Sequence, residues 1–469
     1  MAPGTATTRK IDDALSVRDG VLFIEDRSTV DLARRFGTPL YVVSEDQLRR
    51  NARRFTRAFA DRWSEGPVHV LPSLKANFVL AVRRVLSSEG LGCDTFGMAE
   101  LTAALSTGVD PALLSVNGSV KSPELIEAAV GAGARITLDA TRELALVEDA
   151  ARRLGRRGTV RLRVRPAFPT LEQPTDFVDG ALSTAEAIRV YKAGIPTADA
   201  LELGPRALAS DVVDLSGIHV HVPRHRRELE VWREVIVGVV DLLAELSKAW
   251  GGWMPRELDL GGGYAAPRDP TGRLIERLAG RDLEAPPIED YARIVTSTLR
   301  EALAAHDLAA DGLALEIEPG RSLHADTGIH LARVANSKRE SEPVPWRWVE
   351  TDTTEMFLPD SMIEHNRWPV VVANRADDDP VGPADIVGMS CGFDLMVPQE
   401  PLPELEDGDV LAFLDTGAYQ DASASNFNAL PRPATVLVHG DEAEVVKRAE
   451  TIDDVFARDV IPARMNEEG

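Results

Sequence analysis

The feature that most constrains this chain is an alternation. Apolar runs at 68–74, 92–95, 113–117, 136–139, 160–164, 217–221, 257–260 and 313–318 are separated by amphipathic stretches at 79–88, 98–107, 123–132, 141–154, 198–209, 227–249 and 288–306. Short apolar runs bounded by turn signals suit buried strands, and apolar positions at a helical period suit helices packed on one face. Parallel strands need crossover helices on both faces, so this pattern predicts an α/β chain containing a closed (β/α)8 TIM-like barrel. Beyond about residue 325 the pattern gives way to β-like segments at 328–334, 368–372, 409–414 and 434–438, broken by Pro, Gly and Asp. The first forty residues, with an apolar run at 20–24, have the same character. The expected organisation is therefore 1–40 joining a mostly β C-terminal domain, 41–322 as the barrel, and 323–469 as the β domain itself.

Charge narrows the ligands. With 52 Lys+Arg against 75 Asp+Glu, the net charge of -23 repels nucleic acid and anionic membranes, and neither is an expected partner. Any anionic ligand must be held by locally placed donors. The two cysteines, Cys93 and Cys391, make neither a disulfide framework nor a zinc ribbon. The first ten residues lack the apolar core of a signal peptide, and the most apolar helix-like run, 235–240, is too short to span a bilayer. A cytoplasmic location is expected.

In a barrel of this kind the chemistry sits at the C-terminal ends of the strands. Reading those ends gives Lys75, Asp94, Asn117, Asp139, Arg163, His219, His221, Gly261-Gly262-Gly263 and Glu318-Pro319-Gly320-Arg321. A lysine ending a core strand is costly to bury as a cation, and desolvation favours the neutral amine that attacks a carbonyl. A glycine run after a strand exposes amides that cradle a phosphate, and Arg321 offers a planar fork to the same dianion. Glu318 suits the protonated ring nitrogen of pyridoxal phosphate, the form that makes that cofactor an electron sink. Taken singly, each has a plainer role: Lys75 snorkelling to solvent, Arg163 pairing inside the barrel, Cys93 and Cys391 as buried thiols.

Seven motifs occur in one order: Pro72-Ser73-Leu74-Lys75-Ala76-Asn77, Cys93 through Leu101, Gly217-Ile218-His219-Val220-His221, Leu258-Asp259-Leu260-Gly261-Gly262-Gly263-Tyr264, Glu318-Pro319-Gly320-Arg321, Cys391-Gly392-Phe393-Asp394 and Asp415-Thr416-Gly417-Ala418-Tyr419. Together they resemble the diaminopimelate and ornithine decarboxylase family of pyridoxal-phosphate enzymes, with its alanine-racemase-like barrel (fold type III). The resemblance covers about residues 35 to 440. It implies that Lys75 carries the cofactor aldehyde as a Schiff base and that Glu318 pairs the ring nitrogen. It also implies that Gly261, Gly262, Gly263 and Arg321 hold the phosphate, that His221 stacks on the ring, and that Asp94, Gly320 and Tyr419 lie against the cofactor. Cys391 would enter the partner subunit's site and protonate the carbanion, which implies a homodimer with shared sites.

The departures from the family pattern fall on the substrate readers. Val222-Pro223-Arg224 stands where a phosphate-binding serine is usual, so Arg224 is expected to take over that contact. Gly392 replaces the glutamate that follows the cysteine in diaminopimelate decarboxylases, and Phe427-Asn428 replaces a tyrosine-asparagine pair. No substrate-clamping arginine is evident in 352–360. Glu355, Asp360 and Asp394 remain candidates for a distal amine. The expectation is a pyridoxal-phosphate-dependent decarboxylase of an amino acid or amino-acid derivative, free or carrier-tethered, with altered substrate recognition. Two alternatives stand beside it. One is an amino-acid racemase. The other is a metal-dependent barrel hydrolase built on His219, His221 and His225, with Asp139 or Asp259; on the main reading no metal is expected.

Overall fold

The computed structural model describes residues 8–166, 172–174, 181–183, 192–221, 227–268, 285–364 and 366–465. The chain divides into two compact units, one of Leu48–Asp269 with Glu284–His324, the other gathering Met1–Gln47 and Ala325–Gly469.

The first unit is a barrel of eight parallel strands: β1 (Val68–Val70), β2 (Cys93–Thr95), β3 (Leu114–Val116), β4 (Arg135–Leu138), β5 (Gly158–Arg163), β6 (Val213–His219), β7 (Glu257–Asp259) and β8 (Ala314–Ile317). The sheet runs from β1 through β8 and down to β2, and a parallel bridge between Ser73 and Asp94 closes it. Backbone bonds from Gly92 N to Val70 O at 3.0 Å and from Asp94 N to Pro72 O at 3.2 Å complete the seam. Helices α1 (Leu80–Ser88), α2 (Met98–Ser106), α3 (Pro123–Ala132), α4 (Glu143–Leu154), α5 (Thr197–Ala209), α6 (Leu229–Ala249) and α7 (Ile288–Ala305) lie between the strands in sequence. Their local chemistry is ordinary. At α3, Ser122 accepts from Leu125 N, Pro123 occupies the first turn, and Gly133 ends the helix in a left-handed conformation. The apolar stripe of α6 is fully buried at Trp232, Val235, Ile236, Val239, Val240, Leu243 and Leu246.

The strands are shorter than the apolar runs suggest. β1 ends at Val70, and Leu74–Ala76 forms a turn of 3-10 helix, so Lys75 stands on a turn above the strand. The pairing of β5 with β6 slips at Val160/Arg161, leaving Ser216 as an extra residue on β6.

The second unit is mostly β. Its main sheet runs Leu395–Leu402, Gly382–Val387, Trp346–Thr351, Gly328–Glu340, Leu40–Ser44, Ala434–His439, Glu442–Lys447, with Val410–Phe413 pairing Gly328–Glu340 and Val370–Val372. Leu40–Ser44 sits between Gly328–Glu340 and Ala434–His439, buried along its whole length. A meander of Thr8–Lys10, Leu15–Arg18, Val21–Ile24 and Arg27–Ser28 packs Leu15, Val17, Leu22 and Ile24 onto the same core as Val42, Leu331 and Val436. Among the described residues, no helix is long and apolar enough to cross a membrane.

Candidate active site

The strand-end residues of the barrel converge on Glu318, which follows β8 and is buried. Asn117, past β3, donates from one amide nitrogen to Glu318 Oε1 at 2.8 Å and to Asp94 Oδ1 at 2.6 Å. His219 Nε2, ending β6, lies 3.2 Å from Glu318 Oε2. Ser73 Oγ donates to Asp94 Oδ2 at 2.6 Å, and Lys75 Nζ lies 3.7 Å from the same oxygen. Lys75 is half exposed and stands over the Phe96 ring, 4.9 Å from its centroid. This connected chain joins the lysine turn to the glutamate across four strand ends.

Electrostatics divides the acids from the bases. Burial first, then the Asp94 charge, raises the Glu318 pKa from its ordinary value to about 7. Burial also raises Asp259, with the Glu318 charge adding to it. His219 is pushed the other way by burial, down to about 3, and stays neutral. Its Nδ1 finds no hydrogen-bond partner among the described residues.

The glycine run is held from three sides. Asp259 Oδ1 accepts from Gly261 N at 2.8 Å, Glu318 N donates to Gly261 O at 2.8 Å, and Gly262 N donates to His221 Nδ1 at 3.4 Å. Gly261 has φ +66, and a Cβ there would stand 2.6 Å from Val220 O. A Cβ on Gly262 would stand 2.4 Å from Glu318 O. Tyr264 anchors the run from behind, stacked on Trp232 with ring centroids 4.5 Å apart and planes 3° from parallel. Gly320 directly precedes Arg321, which is buried at the start of the short helix Arg321–His324.

In the β unit, Cys391 is exposed on the loop between Gly382–Val387 and Leu395–Leu402. Asn428 brackets it: its Oδ1 accepts from Cys391 N at 3.0 Å and its Nδ2 donates to Sγ at 3.3 Å. Phe393 beside it is 100% exposed. Asp394 is buried beneath the loop and accepts from Thr354 Oγ1 at 3.0 Å, Glu355 N at 2.6 Å and Ser390 N at 2.6 Å. Asp360, also buried, accepts from Gln420 Nε2 at 2.9 Å and Asn366 Nδ2 at 3.3 Å. Both carboxylates are thus used by the fold. Glu355 is half-buried, accepts from Asp394 N at 3.2 Å, and is raised in pKa by burial and the Asp394 charge. Tyr419, half-buried, caps Gln420–Ser423 with φ 67.

Arg224 and His225 lie outside the described residues. Arg163, read as a strand-end charge, lies 3.8 Å from Asp139, whereas the deeper interior charge is Arg161, two residues earlier. Sequence reasoning missed Arg161, Asn117's bridging role and Asp259's hold on the glycine run; the alternation of Arg161 and Arg163 on one strand face was the available signal. His219, Asp259 and Glu318 lie close enough to hold a metal ion, but the relatives of the chain do not favour the hydrolase alternative.

Residues 45–325 match the pyridoxal-binding domain of the pyridoxal-dependent decarboxylases. The diaminopimelate decarboxylase of Archaeoglobus fulgidus is 30% identical over 95% of this chain and 99% of its own, and that of Pseudomonas aeruginosa 31% over 95% and 98%. The crystal structure of diaminopimelate decarboxylase from Methanocaldococcus jannaschii superposes with a TM-score of 0.85 at 28% identity, covering 96% of this chain and 99% of that one. Its complex with L-lysine gives 0.84 at 26%.

Proposed function

The chain belongs to the pyridoxal-dependent decarboxylases, and from that premise we propose that Lys75, Glu318 and Cys391 carry its reaction. It is a pyridoxal-phosphate-dependent amino-acid decarboxylase, a carbon–carbon lyase. The barrel residues suit that cofactor: a glycine turn that a single Cβ would obstruct, the buried Arg321 three residues past Glu318, and the Glu318 carboxyl held by Asn117 and His219. Bound pyridoxal phosphate supplies the conjugated ring that accepts the electron pair left when carbon dioxide departs.

The chain's own residues do the rest. Lys75 would hold the cofactor through Nζ, with Asp94, 3.7 Å away, orienting that nitrogen. Gly261, Gly262, Gly263, Gly320 and Arg321 would bind the phosphate, with His221 and Tyr419 available to hold the rest of the cofactor. Glu318, held by Asn117 and His219, would pair with the protonated ring nitrogen. The Cys391 thiol donates the final proton to the substrate's α-carbon. The exposed Phe393 and Cys391 support a homodimer in which this loop enters the neighbouring subunit. Two free cysteines support a cytoplasmic setting. Because Asp360 and Asp394 are spent on the fold, Glu355 is the proposed reader of a distal amine. The substrate is proposed to be a basic or modified amino acid other than diaminopimelate, free or tethered to a carrier. Arg224, in the serine's place in the sequence, is proposed to take over the phosphate contact.

The observation that carries this reading is the chain of contacts from Lys75 through Asp94 and Asn117 to Glu318. It is tested by absorbance of the purified protein before and after borohydride. A visible band bleached by borohydride, and absent from Lys75→Ala, is expected, followed by carbon dioxide release in a screen of amino acids. A protein that stays colourless with added pyridoxal phosphate would overturn it.

A further inference from the structure

The proposed proton donor, Cys391, is gripped by a side chain from a different turn of the β unit. That turn is Phe427–Ala429, in which Asn428 adopts φ 57 and ψ 21, a left-handed conformation that asparagine tolerates better than most residues. Asn426 fixes the approach to it, donating to Leu430 O at 2.9 Å and to Glu450 Oε2 at 2.6 Å. Arg432 Nε holds Glu450 in turn at 2.8 Å. On the other side the 388–394 loop is pinned as well. Gly388 N donates to Asp394 O at 2.9 Å, Met389 N to Thr353 O at 2.9 Å, and Ser390 N to the Asp394 carboxylate at 2.6 Å. Two anchored turns therefore meet at Asn428 and Cys391.

The bonding leaves one orientation for the amide. A backbone N–H can only donate, so the atom 3.0 Å from Cys391 N is the carbonyl oxygen Oδ1. The amide nitrogen then faces Cys391 Sγ, 3.3 Å away, and donates to it. A sulfur gains far more from an accepted hydrogen bond as a thiolate than as a thiol. The acids around this loop oppose a thiolate. Asp394 lies beneath it, and Glu355 Oε1 would stand 3.2 Å from a Cβ on Gly392, with Arg367 offsetting part of the Glu355 charge. The Asn428 amide is a neutral donor fixed in advance against that field.

We propose that Asn428 stabilises the thiolate that Cys391 becomes when it delivers its proton, and so speeds that step. The inference rests on the reading of Cys391 as the proton donor. In the step the S–H bond breaks and its electron pair stays on sulfur, while the carbanion's pair forms the new C–H bond at the substrate's α-carbon. A proton from water restores the thiol before the next turnover. Between those two events sulfur carries the charge, and the Asn428 N–H is aimed at it. The same amide, through Oδ1, keeps the Cys391 backbone from turning the thiol away.

Alkylation of the holoenzyme with neutral iodoacetamide tests this, because the thiolate is the form that reacts. Cys391→Ala assigns the labelled residue. Asn428→Gly keeps the left-handed turn and removes the amide. In that variant the ratio of the alkylation rate at neutral pH to the rate at about pH 9.5 should fall by about 5- to 10-fold, the loss expected for one hydrogen bond to a charged sulfur. A merely structural role would move both rates together. An unchanged ratio would therefore overturn the proposal, whatever the rates themselves do. If Asn428→Gly does not fold, Asn428→Ala is read with the same two outcomes. Carbon dioxide release from L-lysine and L-ornithine reports separately on the proton-donor reading: a Cys391→Ala protein as fast as the parent removes that reading, whatever the alkylation ratio.

Discussion

Replacing Gly262 with alanine is the sharpest test of the phosphate cradle. The backbone at Gly262 does not need a left-handed conformation, so the whole effect is steric. The new Cβ would stand 2.4 Å from Glu318 O. Ordinary carbon–oxygen contacts begin near about 3.3 Å, so the glycine run and the end of β8 must part by roughly 0.9 Å. The bond from Glu318 N to Gly261 O, now 2.8 Å, would then open beyond hydrogen-bonding range. Losing it costs about 1 kcal/mol, and forcing a methyl into a packed site about 1–3 kcal/mol more. If half of that appears in cofactor binding, pyridoxal phosphate affinity falls about 10-fold, since each 1.4 kcal/mol is about one decade. The assay is a fluorescence titration of apoprotein with the cofactor, run beside a thermal melt. Gly382→Ala is the control, because a Cβ there meets nothing within 4 Å. A Gly262→Ala protein that binds the cofactor as the parent does, and melts with the control, would refute the argument.

Three further outcomes are expected. Trp232→Ala removes the ring stacked on Tyr264 in a fully buried cluster and should cost about 3–5 kcal/mol, read as a lower urea midpoint. Asp394→Ala frees Thr354, Glu355 and Ser390 from one buried carboxylate; alkylation of Cys391 should speed up and decarboxylation slow by about 10-fold or more with cofactor affinity unchanged. Cys93 will not compete for the reagent, because burial pushes its thiol up to about 12. His330, bonded to Thr353 at 2.7 Å, is held neutral by burial with its pKa pushed down to about 3. Its contribution is therefore complete above the unfolded value near 6.5 and is lost as pH falls toward 3, at up to roughly 1.4 kcal/mol per pH unit. His330→Gln should flatten the fall in urea stability between pH 7 and pH 5; an unchanged slope would count against it.

The sequence by itself determined the succession of strands and helices, because periodicity and turn residues act locally. It also determined the order of Lys75, the glycine run and Glu318-Pro319-Gly320-Arg321, because strand ends in a barrel must lie at one rim. It could not say which charges pair inside the barrel. Arg161 and Arg163 share a strand face, yet only Arg161 reaches Asp259 and Glu316, a choice made by β7 and β8, about a hundred residues or more away. Nor could it assign Leu40–Ser44 to the β unit, where its partners are Gly328–Glu340 and Ala434–His439. Asp360 and Asp394 read as free acids in sequence, but folding turns them on Gln420, Asn366 and the loop backbone around Ser390. Buried polar atoms must find partners wherever the chain brings them. Those partners are distant in sequence, and only the tertiary structure decided them.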